Sequence, residues 1–128
     1  VWDVINKKLI ARTRTNMPIR CCDFDSNNNF IAVGFRNGSF AIYGFLNTEN
    51  KNSKNEKNEN NLFLLYTKKD FFEIISDIKF SPNSKMLAVG SHDDHIDIYS
   101  CKLLPSNTQA NMSCEVKYLR RLKGHSSY

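Results

Sequence analysis

Apolar and polar residues alternate in short runs along most of the chain, and turn-forming residues separate the runs. Ile19–Phe24, Phe30–Phe35 and Ser39–Phe45 form one set of three, and Ile75–Phe80, Met86–Ser91 and His95–Cys101 form another. A period of two over five to seven residues predicts half-buried β-strands. The breaks between runs are Asp25-Ser26-Asn27-Asn28-Asn29 and Ser81-Pro82-Asn83-Ser84, then Asn37-Gly38 and its counterpart Asp93-Asp94. Asn-Gly predicts a tight hairpin because both residues tolerate positive φ. Each set is followed, after a polar connection, by a fourth strand signal, at Leu62–Thr67 and Val116–Leu122. No segment of helical period competes with this pattern.

The two sets are copies of each other. Residues 19–45 align with 75–101 without a gap at an offset of 56, and eight positions are identical, among them Ala32/Ala88, Val33/Val89, Gly34/Gly90 and Tyr43/Tyr99. Repeated supersecondary units that cannot each bury a face alone are expected to stack. The N-terminus fits the same frame: Val1-Trp2-Asp3 aligns with Ile42-Tyr43-Gly44, and Lys8–Arg12 is then a fourth strand. Gly124-His125 opens a further unit. The organisation expected is therefore an all-β chain of two complete four-stranded antiparallel units with partial flanking units. Residues 1–15 are read as the last two strands of a preceding unit, 16–67 and 68–122 as the complete units, and 123–128 as the start of the next. On this reading the chain is an excerpt of a longer protein. Gly34 and Gly90, isolated within strands, suggest close approach of a neighbouring sheet.

One stretch departs from the alternation. Residues 46–61 contain seven Asn, three Lys and three Glu, and nothing apolar after Leu46. Such a tract cannot bury enough surface to offset the entropy of ordering, so it is expected to be a disordered insertion in a loop. Lengthening an existing loop costs only about 0.6 kcal/mol per doubling.

Composition narrows the picture further. The 128 residues carry a net charge of +5, placed unevenly. Residues 1–20 and 102–128 each contribute +4, and the middle contributes −3. No apolar run reaches the roughly 20 residues of a membrane-spanning helix. Cys21 and Cys22 are adjacent, while Cys101 and Cys114 stand alone. That spacing is neither a disulfide framework nor a zinc motif, and free thiols in a reducing compartment are the simplest account.

Trp2-Asp3 ending a strand, Gly124-His125 before the next, and four-stranded units between them resemble the WD-repeat β-propeller, and the resemblance implies a β-propeller fragment of two complete four-stranded antiparallel blades plus partial flanking blades. ISDIKFSP (75–82), LAVGSHDDHIDIYS (87–100) and KGHSSY (123–128) are most similar to the echinoderm microtubule-associated protein-like (EML) family. The resemblance implies structural roles within the repeat for Trp2, Asp3, Gly34, Tyr43, Gly90, Asp93, Tyr99, Gly124 and His125. It also implies a cytoplasmic, cytoskeletal protein whose partner is tubulin or microtubules. The chain departs from the general WD pattern in both complete units. Arg14-Thr15 and Asp70-Phe71 stand where Gly-His is expected, and Tyr43 and Tyr99 stand where Trp is expected. The linked hydrogen-bond set of that family is thus broken, and packing through Phe24, Ile31, Val33, Phe80, Leu87 and Val89 is expected to compensate.

Catalytic chemistry finds little support. His92-Asp93-Asp94-His95 has His-x-x-His spacing, but no fourth ligand is fixed, and Cys101 lies about 20 Å along an extended strand from His95. Cys21 and Cys22 point to opposite faces of one strand, so at most one is buried. Lys and Arg recur on the fourth strands, where they would discourage edge-to-edge sheet pairing or form a positive rim for an acidic partner. A nucleic-acid partner is disfavoured because no recognition helix or stacking platform is visible. The reading is a non-catalytic protein-interaction scaffold without cofactor or metal. Its candidate binding residues are Arg36, Asn37, Lys68, Lys69, His92, Asp93 and His95 in loops, with Arg120 and Arg121 on an edge. The alternatives are a WD-repeat adaptor in ciliary transport or ubiquitin ligation, and a metal-dependent hydrolase built on a propeller.

Overall fold

The computed structural model describes residues 2–3, 8–9, 15, 17–27, 29–45, 62–69, 73–92, 94–105 and 111–123. The insertion expected at 46–61, the Gly124-His125 pair and Asp93 lie outside them. Ten strands occur among the described residues: β1 (Trp2–Asp3), β2 (Lys8–Leu9), β3 (Ile19–Phe24), β4 (Phe30–Phe35), β5 (Ser39–Phe45), β6 (Leu62–Lys69), β7 (Ile75–Phe80), β8 (Met86–Ser91), β9 (His95–Leu104) and β10 (Ser113–Lys123). They form a two-stranded sheet β1-β2 and two four-stranded antiparallel sheets, β3-β4-β5-β6 and β7-β8-β9-β10. Each four-stranded sheet is an up-and-down meander, the form of a propeller blade. Strands β6, β9 and β10 run two to four residues beyond the alternation that marks them, because pairing continues to Ser39↔Lys69 across β5–β6 and from Ser113↔Leu104 to Lys123↔His95 across β9–β10.

The 56-residue repeat is geometric as well as sequential. Irregular pairing falls between Ile19 and Cys21 in one blade and between Ile75 and Asp77 in the other. Gly38 (φ 90°) and Asp94 (φ 69°) hold the same left-handed position in the second turn. The backbone hydrogen bonds that close the turns recur in step: Asp25 N–H to Phe30 O and Ser81 N–H to Met86 O; Phe45 N–H to Asn29 O and Cys101 N–H to Lys85 O.

Different side chains solve the same problem in the first turn. Asp25 is buried and its Oδ1 accepts from the N–H groups of Asn29 (2.8 Å) and Phe30 (2.9 Å). In the second blade Asn83 Oδ1 accepts from Lys85 N–H (3.0 Å), and Ser81 Oγ from Met86 N–H (3.0 Å). Strand-end donors must find partners one way or another.

The larger of two core clusters lies between the two blades, and a smaller one (Ile31, Val33, Phe35, Ala41) lies within the first blade. Strands β3 and β4 pack on β7. Phe30, Ala32, Phe40 and Ile42 of the first blade meet Ile75, Ile78, Leu87, Val89 and Tyr99 of the second. Each large apolar side chain so buried contributes about 1.5–3 kcal/mol. Phe40 and Tyr99 rings sit 5.0 Å apart at 55°. Gly34 makes the approach possible: a Cβ there would stand 2.5 Å from Ile75 Cγ2 and 2.6 Å from Cys21 Sγ. Polar links stitch the same seam. Asp23 Oδ2 accepts from Phe80 N–H at 2.8 Å, and the Ser26 and Ser84 hydroxyls are 2.8 Å apart. Ile31, Val33, Phe80, Leu87 and Val89 are buried as the alternation predicts, but Phe24 is not. It ends β3, the edge strand of its sheet, where its partner Ile31 is flanked by strands on both sides and Phe24 is not, and it exposes more than a third of its surface.

Candidate protein-interaction site

The antiparallel meander sends every second connection to the same end of a blade. The β4–β5 and β8–β9 turns, the end of β6 and the start of β7 therefore share one end. Arg36, Asn37, Lys68, Lys69, His92 and His95 lie there together. The strand register gives the same grouping, with Ser39 opposite Lys69, Phe40 opposite Lys68 and His95 opposite Lys123. Arg36 is exposed, and its backbone N–H is tied to Pro18 O at 3.0 Å. Asn37 Oδ1 accepts from Ser39 N–H (3.1 Å) and Ser39 Oγ (2.6 Å), so its side chain shapes the turn. His92 is exposed and donates its backbone N–H to Ile74 O, the counterpart of the Arg36 bond. His95 is half-buried.

Two bases do more than line an edge. Lys68 Nζ reaches from the first blade over two rings of the second, 5.3 Å from the centre of Tyr99 and 5.6 Å from that of Tyr118. Arg121 grips Asp97 with both arms of its guanidinium, Nε to Oδ1 at 2.7 Å and Nη2 to Oδ2 at 3.0 Å. Asp97 is fully buried, so the bidentate pair compensates a charge that desolvation would otherwise penalise. Arg120 and Lys69 remain exposed. Arg20, at the head of β3, is exposed at the same end, alongside the acidic Glu73 and Asp94.

Sequence reasoning passed over Asp97 and Arg20. Asp97 did carry a signal: it shares the parity of Tyr99, so a carboxylate stands where a buried side chain is due. Arg20 was visible within the N-terminal basic cluster, but only the meander shows that it joins the turn residues at one end.

The thiols are free. Burial pushes Cys101 up to about 12, with the nearby Cys114 thiol adding to it, and burial pushes Cys114 up to about 11. Cys21 is also raised, by burial first and then by Asp77, while Cys22 on the opposite face is exposed. Both effects favour the unreactive thiol form. Among the described residues no three His, Cys, Asp or Glu side chains gather as a metal site. No helix among them is long and apolar enough to cross a membrane.

The chain is similar to known proteins. The family described as WD domain, G-beta repeat matches residues 7–43 and 65–100, together more than half of the chain. Echinoderm microtubule-associated protein-like 3 of Mus musculus is 30% identical over 110 residues, covering 84% of this chain and 10% of that protein. Echinoderm microtubule-associated protein-like 4 of Homo sapiens is 27% identical over 130 residues, covering all of this chain and 11% of that protein. The chain thus spans about a tenth of the length of the curated relatives it matches. The β-propeller domain of Myceliophteria thermophila Cps50 (Swd1) superposes with a TM-score of 0.54 at 13% identity, over 80% of this chain and 28% of that one. With two stacked four-stranded meanders, a geometric repeat and these matches, the chain belongs to the WD40 family of β-propeller repeats.

Proposed function

We propose that the chain is part of a non-catalytic scaffold that binds tubulin or microtubules in the cytoplasm, through the end of the blades that carries Arg36, Lys69 and Arg20. The observation that carries this reading is the similarity to microtubule-associated protein-like relatives across most of the chain. The geometry supports it by gathering exposed bases on a turn and on strand ends at one end. Basic groups fixed on a stiff sheet stack steer an acidic surface into register and speed encounter, and their effect falls as salt screens them. Asn37 and His92 flank these bases on turns held by backbone hydrogen bonds, which leaves little loop entropy to lose on binding.

Co-sedimentation of the full-length protein with polymerised tubulin, at several salt concentrations, tests the proposal. Pelleting that weakens as salt rises is the expected result. Absence of pelleting at low salt overturns it. Arg120→Glu is the cleaner edge variant, because Arg121 is committed to Asp97. Weakened pelleting is expected there, and an unchanged isotherm assigns Arg120 to edge protection alone.

A further inference from the structure

The opposite end of the blades holds a groove of about 470 Å³ on the seam between them. Its walls are the β3–β4 turn, the β7–β8 turn and the chain from Ser100 to Pro105. Phe30 and Cys101, both buried, lie at its base, and Leu103 and Pro105 extend the apolar surface outward. Asn27, Asn29 and Asn83 supply amide groups around the rim, and Lys85 and Lys102, both exposed, supply its free charges. Asp25 also lines the groove, but its carboxylate is occupied: Oδ1 accepts from Asn29 and Phe30 N–H, and Oδ2 from Asn27 N–H at 3.3 Å.

The geometry points to this groove as a docking site for a short acidic peptide segment of a partner protein, with one apolar side chain seated against Phe30, Cys101 and Leu103 and flanking carboxylates against Lys85 and Lys102. The volume falls within the usual range of ligand clefts, about 300–1,000 Å³. An apolar base with a polar, charged rim is the arrangement that separates anchoring from orientation. The Asn27 and Asn29 side-chain amides can pair with an extended peptide backbone as donors and acceptors, and Asn83, whose Oδ1 already accepts from Ser81 Oγ and Lys85 N–H, can donate. The walls are preformed, which limits the ordering cost of binding. Cys101 N–H is bonded to Lys85 O at 2.9 Å, and Ser26 N–H to Ser84 Oγ at 3.0 Å across the seam. A basic segment would meet two lysines and no exposed carboxylate among the lining residues. A nucleic acid would bring suitable charge but needs exposed aromatic faces to stack on, and the groove's one aromatic, Phe30, is buried. The site is at the other end of the blades from the proposed tubulin contact, so it stands or falls separately.

A random phage-displayed heptapeptide library panned on the full-length protein tests it. The expected consensus pairs an apolar residue with Asp or Glu neighbours. A fluorescein-labelled peptide of that consensus should lose at least tenfold in affinity for a Lys85→Glu/Lys102→Glu variant, and far less for Arg36→Glu. Both lysines are exposed, and unchanged thermal melting of the variant checks its fold. No acidic–apolar consensus, or equal affinity for the lysine variant, overturns the proposal.

Discussion

Phe40 and Ile96 occupy the same place in the repeat, 56 residues apart, and their strands pair in the same register. Phe40 is fully buried, whereas Ile96 keeps 40% of its surface. The first strands of the two blades, β7 and β3, show the reverse: Ile75 is fully buried, and its counterpart Ile19 is 51% exposed. Backbone geometry is therefore a property of the repeat, and burial is a property of the neighbour. A blade presents two apolar faces, and among the described residues a second four-stranded sheet covers only the seam faces. Stability in such an array is approximately a sum of unit and interface terms.

Substitutions at paired positions break this comparison most sharply. Phe40→Ala should cost about 3–5 kcal/mol, the usual range for a buried Phe. Ile96→Ala should cost under about 1 kcal/mol, since far less surface leaves water there. Urea unfolding of the two variants measures the contrast, and equal losses would contradict it. Arg121→Met comes next, at about 3 kcal/mol, because it takes the bidentate guanidinium away from the buried Asp97 carboxylate. Asp97→Ala should cost less, as the Arg121 side chain is already 35% exposed and can turn to water.

The glycines sharpen the same contrast. Gly34→Ala should destabilise by about 1–3 kcal/mol through overpacking against Ile75 and Cys21. At Gly90 the nearest neighbour to a Cβ is Ile96 Cγ1 at 3.8 Å, so Gly90→Ala should lie within about 0.5 kcal/mol of the parent, or stabilise slightly. Lys68→Met should lose about 0.5–1 kcal/mol, the value of a partly exposed cation over aromatic rings. A double-mutant cycle with Tyr118→Leu isolates that interaction.

The smallest effect is alkaline. Burial raises Cys101 from 9.0 to about 12 and Cys114 from 9.0 to about 11, so the folded chain keeps protons that the unfolded chain releases. This contribution is intact below about pH 9 and is lost as pH climbs towards 12. Thermal melts of Cys101→Ala across that window should fall less steeply than those of the parent.

Much of the fold was legible because its signals are local. Period-two alternation, Asn37-Gly38 and the 56-residue match are read within a few residues of each other, and together they define the meander. Phe24 misled because its burial depends on its strand's place at the sheet edge, which alternation alone does not show. Lys68 carried the sequence signal of a loop base and Arg121 that of an edge charge. Their actual partners, Tyr99, Tyr118 and Asp97, depend on cross-strand register and on how one blade stacks upon the other. The candidate end was legible in part: turn residues were chosen by type, and topology then brought them to one side. The groove at the other end left no such trace, since its lining comes from three separate connections.

Tubulin co-sedimentation of two charge-reversed variants of the full-length protein tests the central claim most directly. Arg36→Glu/Lys69→Glu alters the basic turn end, and Lys85→Glu/Lys102→Glu alters the groove end by the same net charge. The account predicts that the first loses most of its pelleting at low salt and the second pellets like the parent. Equal behaviour of the two would contradict it, by showing that net charge alone, and not its placement on the blades, governs association.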